Sequence, residues 1–370
     1  APARDAILVE WITYLGPISE GKPINLDAID IKLQPDLDWI RQSGFSDALV
    51  AALLRVKNAQ RRQEHYYVGL QPYVKNPDFK NENPYAAMKY PDAGYRLLAL
   101  YRYWNIIQYY FPYKNLIEED WKLVLAEFVP KVIGAYNETE YVLSILELIG
   151  RIHDTHANIW SWNPCLNAHF GVNASVAEIR FVGGKAVVTG FYDEKRGAET
   201  GLKIGDVVTT VNHRPVDEIV KTQLPYSPAS NAPTQLRNIA RKLLRTNDSL
   251  LNVEVLRNGK TISFILNAYP FQDILNKLPF GAQDTCFRRI GNDIAYIDHG
   301  KLKVQYLPQL WKEIAPTKGL IIDIRNYPSD FPLFDLGKYL NPQSTPFVKF
   351  SNGSIETPGL FTFTKPESVG

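Results

Sequence analysis

The apolar residues of this chain change their spacing twice, and this constrains the fold more than any single motif. Up to about Cys165 they recur at helical intervals, from there to about Pro270 they alternate as in half-buried strands, and beyond Pro270 they come in short unbroken runs. A sequence with one period throughout builds one kind of layer. Three patterns in series predict regions of different kind, a multidomain α+β chain.

The helical part is clearest from residue 94 onward. In G-Y-R-L-L-A-L-Y-R-Y-W-N-I-I-Q-Y-Y-F-P, the residues Leu97, Tyr101, Trp104 and Gln108 fall on one stripe with more aromatics beside it, and Pro112 stops the helix. The pattern predicts a helix buried over much of its surface. Trp121, Val124, Leu125 and Phe128 repeat the i, i+3, i+4, i+7 spacing, and Val142, Ile145, Leu146 and Ile149 repeat it again. Before residue 90 the signals thin out. Ile7, Trp11 and Leu15 are helically spaced, 47–56 is predicted helical, and 71–92, rich in Pro, Asn, Asp and Tyr, is predicted to be an extended connector.

In the middle region, F-V-G-G-K-A-V-V-T-G-F predicts strand, turn and strand, with Gly183-Gly184 suited to positive φ. G-A-E-T-G-L-K-I-G-D-V-V-T-T-V-N predicts a short helix, Leu202 in a core, a turn at Gly205-Asp206 and a strand Val207–Val211. A second hairpin turns at Asn258-Gly259, the pair that most readily adopts both positive φ angles of a type I′ turn. A helical stretch at 234–244 lies between the hairpins. Farther on, N-D-I-A-Y-I-D-H-G and K-G-L-I-I-D-I-R-N-Y-P-S-D-F each carry a buried strand, and the run Leu320-Ile321-Ile322 suits a parallel sheet covered on both faces. The loop 325–330 then lies at the carboxyl end of the sheet, where open α/β folds bind ligands.

Composition excludes several function classes. With 370 residues, 45% apolar and 22% charged, the chain can bury substantial cores, and its length suggests roughly two to three domains. The 41 basic residues nearly balance the 39 acidic ones without a dense basic run, which argues against nucleic acid or a polybasic membrane anchor. No stretch reaches the roughly 18 uninterrupted apolar residues of a membrane span, and the opening A-P-A-R-D has neither the basic nor the apolar region of a signal peptide. Cys165 and Cys286 are free thiols or one bridge, never a disulfide framework.

The densest polar motif is R-I-H-D-T-H-A-N-I-W, residues 151–160, at the end of the third helical pattern. Three readings stand. His153 and His156 can cap the helix C-terminus, where imidazole complements the dipole and free carbonyls. With His169 they can supply three zinc ligands, although H-x-x-H lacks the i, i+4 spacing of a zincin helix and no glutamate follows the first histidine. The third reading is catalytic.

Three motifs in order carry a family resemblance over roughly residues 90–330. G-L-K-I-G-D-V-V-T-T-V-N resembles the signature of a PDZ domain, K-G-L-I-I-D-I-R-N-Y-P resembles the strand and loop of the C-terminal processing (tail-specific) serine peptidases, and D-T-H-A resembles the D-x-H-[TA] element before their PDZ domain. The aromatic helix with W-N-I-I-Q-Y-Y-F-P-Y is also similar to that group, which includes tricorn-core-like members. The resemblance implies an unassigned, partly helical N-terminal region (1–90), a helical domain ending in the D-x-H element (91–165), a PDZ-like domain (166–270) and the beginning of a crotonase-like α/β peptidase domain (271–370).

The same resemblance implies roles. His156 would be the general base for a serine hydroxyl, with Thr155 shaping the site, unless a later lysine takes that role as it does in the processing peptidases proper. The loop after R-N-x-P would give a backbone N–H to an oxyanion hole, a donor that typically contributes about 3 kcal/mol to transition-state binding. Here Ser329-Asp330 stand where the family has Gly-Gly, and a carboxylate beside a developing oxyanion is unfavourable unless it points away. The family's serine lies in a T-x-S-x-[AS]-E segment after a further strand, and no such segment occurs before Gly370. The expectation is a piece of a periplasmic or cell-envelope peptidase, inactive alone, with a polypeptide or peptide C-terminus as partner and no cofactor or metal. The alternative is a non-catalytic peptide-binding protein using the PDZ groove. The groove would act by β-augmentation, and Gly201 and Gly205 in its turn are structural.

Overall fold

The computed structural model describes residues 2–21, 29–60, 65–160, 162–275 and 285–370. The stretch 276–284, where the sequence passes into its third region, lies outside the described residues. Helix and sheet are mixed, and the chain divides into two compact units. One comprises Ala1–Met88, Tyr101–Glu118 and Ser344–Val369; the other comprises Lys89–Leu100 and Glu119–Gln343. Among the described residues no helix is long and apolar enough to cross a membrane.

In the first unit the helix Pro2–Thr13 forms, yet Ile7, Trp11 and Leu15, the residues whose spacing predicts it, are exposed. What fastens it is polar: the Asp5 carboxylate is buried and accepts, at 2.6 Å, the N–H of Ser46, the N-cap of the helix Asp47–Lys57. The predicted connector at 71–92 contains half of a short hairpin, Val68–Leu70 against Pro77–Phe79. Ser344–Val369, read from the sequence as the end of a 271–370 segment, groups here because Phe361–Phe363 pairs with both Ile31–Leu33 and Ser351–Gly353.

The aromatic helix spans Ala93–Tyr110 and ends before Pro112, as its sequence predicts. Its buried line differs. Arg96, Leu100, Ile107 and Gln108 are buried, while Tyr101 is exposed. The cause is Arg96, whose guanidinium donates to the carbonyls of Val132, Ile133 and Pro91 at 2.8–2.9 Å and so satisfies the last turn of the helix Trp121–Gly134. A buried cation with three partners turns that face inward, and hydrophobic spacing alone does not reveal it.

The second unit holds the elements that form the site, labelled in chain order: α1 (Trp121–Gly134), α2 (Glu138–Gly150), β1 (Ala177–Val182), β2 (Lys185–Phe191), α3 (Glu194–Glu199), β3 (Val207–Val211), α4 (Ala232–Leu243), β4 (Leu250–Arg257), β5 (Lys260–Asn267), β6 (Phe287–Ile290), β7 (Ile294–Asp298), α5 (Leu307–Ile314), β8 (Gly319–Asp323) and α6 (Leu333–Leu340). The middle strands form an antiparallel sheet in the order β5-β4-β3-β2-β1, with Arg214–Pro215 pairing β3. Alternation decides its faces: Leu251, Val253 and Val255 of β4 point into a core shared with Val188, Val208 and Leu243. The predicted turns match, with φ +51° and +76° at Asn258-Gly259 and +56° and +78° at Gly183-Gly184. Arg257 grips Asp206 bidentately at 2.7 and 2.6 Å, which holds the Gly205-Asp206 turn and, through that hydrogen-bonded pair, keeps the Asp206 carboxyl below its usual pKa.

Among the described residues β1 pairs only with β2, so its other edge carries no strand, and α4 packs alongside β1. In the third sheet β6 is antiparallel to β7, and β7 is parallel to β8, with Asp298 opposite Asp323 at the strand ends. The predicted parallel pairing is present, but β8 is not covered on both faces. Leu320 and Ile322 pack on the core with Ile297, whereas Ile321, on the opposite face, is 44% exposed.

Truncating Leu251, fully buried, to Ala should cost about 2–5 kcal/mol, whereas Ile265→Ala on the neighbouring strand, at a position 70% exposed, should stay within about 0.5 kcal/mol. Urea unfolding midpoints measure both, and equal effects would contradict the assigned faces of this sheet.

Candidate functional site

The D-T-H-A loop leaves α2 through a charged clamp. Arg151, the residue that closes the helix, donates to Glu119 at 2.7 Å and also pairs with Glu127 at 3.1 Å. His153 then takes the left-handed conformation (φ +52°), which turns the chain away from the helix axis. The His156 imidazole is 98% exposed. Its backbone N–H donates to Asp154 Oδ1 at 2.8 Å, and its Nδ1 faces the same oxygen at 3.3 Å. Trp160 Nε1 donates to the His156 carbonyl at 2.7 Å and braces the loop. The imidazole therefore partners a carboxylate rather than the carbonyls of the helix end, and Nε2 is left facing outward.

Thr155 has a different partner. Its N–H donates to Ser230 Oγ, the Ser230 N–H donates to Thr155 Oγ1, and the two hydroxyls also share a hydrogen bond, all at 2.9 Å. Ser230 immediately precedes Asn231, the N-cap of α4. This ties the loop to the start of α4, and neither Ser230 nor the orienting role of Asp154 was assigned from the sequence. The only sequence signal for Asp154 was its place in the motif; Ser230 lies 75 residues away and offered none.

His169, the third member of the zinc alternative, sits against Phe170 and Tyr226, with burial and the Lys242 charge lowering its pKa. Among the described residues no three His, Cys, Asp or Glu side chains come close enough together to hold a metal ion. Cys165 and Cys286 are both free thiols.

The loop after β8 is organised by carboxylates. Asp323, buried at the strand end, accepts the Arg325 N–H at 3.0 Å, the Arg325 guanidinium at 2.6–3.1 Å and the Tyr296 hydroxyl. Led by the Arg325 hydrogen bonds, these donors hold its carboxyl far below the usual range. Asp298 beside it accepts Asn326 Nδ2 at 3.2 Å and the Gly300 N–H at 2.9 Å. Asp330 accepts the N–H groups of Val304 at 3.0 Å and Phe331 at 2.8 Å, and these backbone bonds lower its pKa. Ser329 donates its hydroxyl to the Leu302 carbonyl at 2.9 Å, and its own carbonyl receives Lys303 Nζ at 2.7 Å. So Ser329 and Asp330 are anchored to the segment after β7.

A cleft of about 870 Å³ opens within this unit. One wall is β1 (Glu178 to Phe181) with Pro233, Arg237 and Arg241 of α4; the other is formed by Asp298, Lys301, Asp323 and the Arg325–Tyr327 turn. The sequence-predicted loop 325–330 thus contributes its first half to the cleft. Ser329 and Asp330 are not in its lining, nor are Thr155 and His156, and among the described residues no hydrogen bond or ion pair joins the two pairs.

No protein-family model matches the chain, and a search of curated proteins finds no similar sequence. Solved structures do show likeness. The crystal structure of a serine-to-alanine mutant of CPAF is 14% identical with a TM-score of 0.50, covering 70% of this chain and 61% of that one. Mature CPAF is 13% identical with a TM-score of 0.48, covering 70% and 60%. The photosystem II D1 C-terminal processing protease is 15% identical with a TM-score of 0.30, covering 74% and 70%. The likeness to the CPAF mutant is one of fold, and this chain spans about 60% of the CPAF chains.

Lys242 offers a test of the packing behind the site. It lies 4.0 Å from the Phe170 ring centroid, and burial, reinforced by the Arg245 charge, pushes its pKa down to about 8. The unfolded chain holds that proton up to about 10.4, so between these values unfolding takes up protons and stability rises with pH. Lys242→Met should therefore be more stable than the parent by about 3 kcal/mol at pH 7, with the advantage shrinking from pH 8 to 10. Denaturant titrations at several pH values measure the difference, and a pH-independent one would place the ammonium in water.

Proposed function

We propose that this chain is the substrate-capturing body of a serine endopeptidase of the C-terminal processing type. The observation that carries the reading is the cleft, where the unpaired edge of β1 runs beside α4 and faces a loop at the carboxyl end of parallel strands. An extended polypeptide can add to such an edge through its own main-chain hydrogen bonds, and open α/β sheets use that end for ligands. In this reading residues 166–270 are a PDZ-like domain, and 271–370 begin a crotonase-like domain. The fold likeness to the CPAF mutant and the three sequence motifs support it.

The chemistry follows from the same residues. A serine hydroxyl loses its proton only to a base aligned with it. Asp154 on Nδ1 fixes the tautomer of His156 that leaves Nε2 free to accept that proton, and Thr155 positions the loop through Ser230. Asp330, turned onto Val304 and Phe331, is kept from facing an oxyanion beside the loop. The substrate is a polypeptide, and the setting is extracytoplasmic.

One observation favours a peptide-binding protein without catalysis. The Phe331 N–H, a donor the loop could otherwise offer to an oxyanion, already serves Asp330. Both readings share the groove and differ in turnover.

The full-length protein that contains this chain, incubated with an unstructured polypeptide, should cleave it, and His156→Ala should lower kcat by about 10²–10⁴ without moving Tm, because the side chain is solvent-exposed. Gel or mass-spectrometric product analysis measures the loss. Undiminished cleavage would remove His156 from the mechanism, and no cleavage by the parent would favour binding alone.

A further inference from the structure

The cleft walls contain more cations than they neutralise. Each lining carboxylate is engaged by a neighbour: Glu178 by Arg180 at 2.8 Å, Asp323 by Arg325, and Asp298 by Asn326 and the Gly300 N–H. Arg237, Arg241 and Lys301 have no acidic partner among the described residues; Arg237 reaches only the neutral Asn238 amide oxygen at 3.3 Å. Arg237 and Arg241 stand at i and i+4 on the exposed face of α4, a like-charge spacing that disfavours the helix when nothing lies between the two groups. Burial and the Arg241 charge both lower the Arg237 pKa, so the two guanidiniums sense each other.

Geometry indicates what resolves this repulsion. Four helical residues advance about 6 Å. Two residues of an extended strand advance about 6.6 Å, with both side chains on the same side. A segment added to the free edge of β1 would therefore bring alternate side chains into step with Arg237 and Arg241.

Resting on the groove reading above, we infer that the cleft selects extended polypeptide segments with acidic residues at alternate positions (Asp/Glu-x-Asp/Glu), whose carboxylates pair with Arg237 and Arg241 while Lys301 on the opposite wall adds a third cation. A polypeptide fits better than a polynucleotide. The β1 edge offers main-chain donors and acceptors in strand register, which another peptide backbone can pair with and a sugar–phosphate backbone cannot.

Fluorescence anisotropy tests this with the 370-residue chain and three labelled probes of equal length: an unstructured peptide with an Asp-x-Asp core, the same peptide with Asn for Asp, and a single-stranded oligonucleotide. The acidic peptide should bind about tenfold tighter than the neutral one at low salt. R237E/R241E should abolish that preference while retaining the neutral peptide, and the milder R237Q/R241Q should reduce it if the charge reversal fails to fold. Equal binding of both peptides to the parent, or a preference unchanged in a folded variant, overturns the inference and spares the groove. Oligonucleotide binding as tight as the acidic peptide overturns it in favour of general anion attraction. Failure of both peptides to bind overturns the groove reading, and the inference with it.

Discussion

Asp323 is the group on which the arrangement of the site depends. It ends β8, so its position is set by parallel pairing with β7, and its carboxylate gathers the Arg325 guanidinium, the Arg325 N–H and the Tyr296 hydroxyl. Its carbonyl also accepts the His299 N–H at 3.0 Å. Asp323 thus fixes the start of the loop after β8 through its side chain and the turn after β7 through its main chain. Without those donors an ionised carboxylate would have to leave the strand end for water. The direction of the 325–327 turn, and with it one wall of the cleft, would be lost.

The neighbouring acids follow the same rule. Asp298 and Asp330 also spend their lone pairs on nearby N–H groups, so the two strand-end carboxylates and the one in the loop are all engaged and none is offered unopposed to the cleft. That answers the difficulty posed by Ser329-Asp330 in place of two glycines. The carboxylate is turned onto backbone donors, which makes the replacement compatible with either a catalytic or a binding role. The cations on α4 lack comparable partners, and the balance of the cleft tips positive.

The sequence made legible what is decided locally. The Asn258-Gly259 and Gly183-Gly184 turns require positive φ, the helix predicted at 47–56 forms as Asp47–Lys57, and β4 announces its faces by alternation. Interactions between distant positions were not legible. The Thr155–Ser230 bridge spans 75 residues, the pairing of Ile31–Leu33 with Phe361–Phe363 joins two strands of three residues, and Arg96 turns a helix face inward through hydrogen bonds that hydrophobic spacing cannot encode. Of the candidate site, the position of the 325–330 loop followed from its strand, whereas the Thr155–Ser230 bridge and the placing of Arg237 and Arg241 in one cleft with Lys301 emerged only when the elements were brought together.

The central claim is that polypeptide is captured by strand addition at β1, and hydrogen exchange tests it most directly. With a saturating unstructured polypeptide, amides within Ala177–Val182 should exchange more slowly, while those of the opposite edge strand, Lys260–Asn267, remain unchanged. Protection absent from β1, or confined to other segments, would contradict the account.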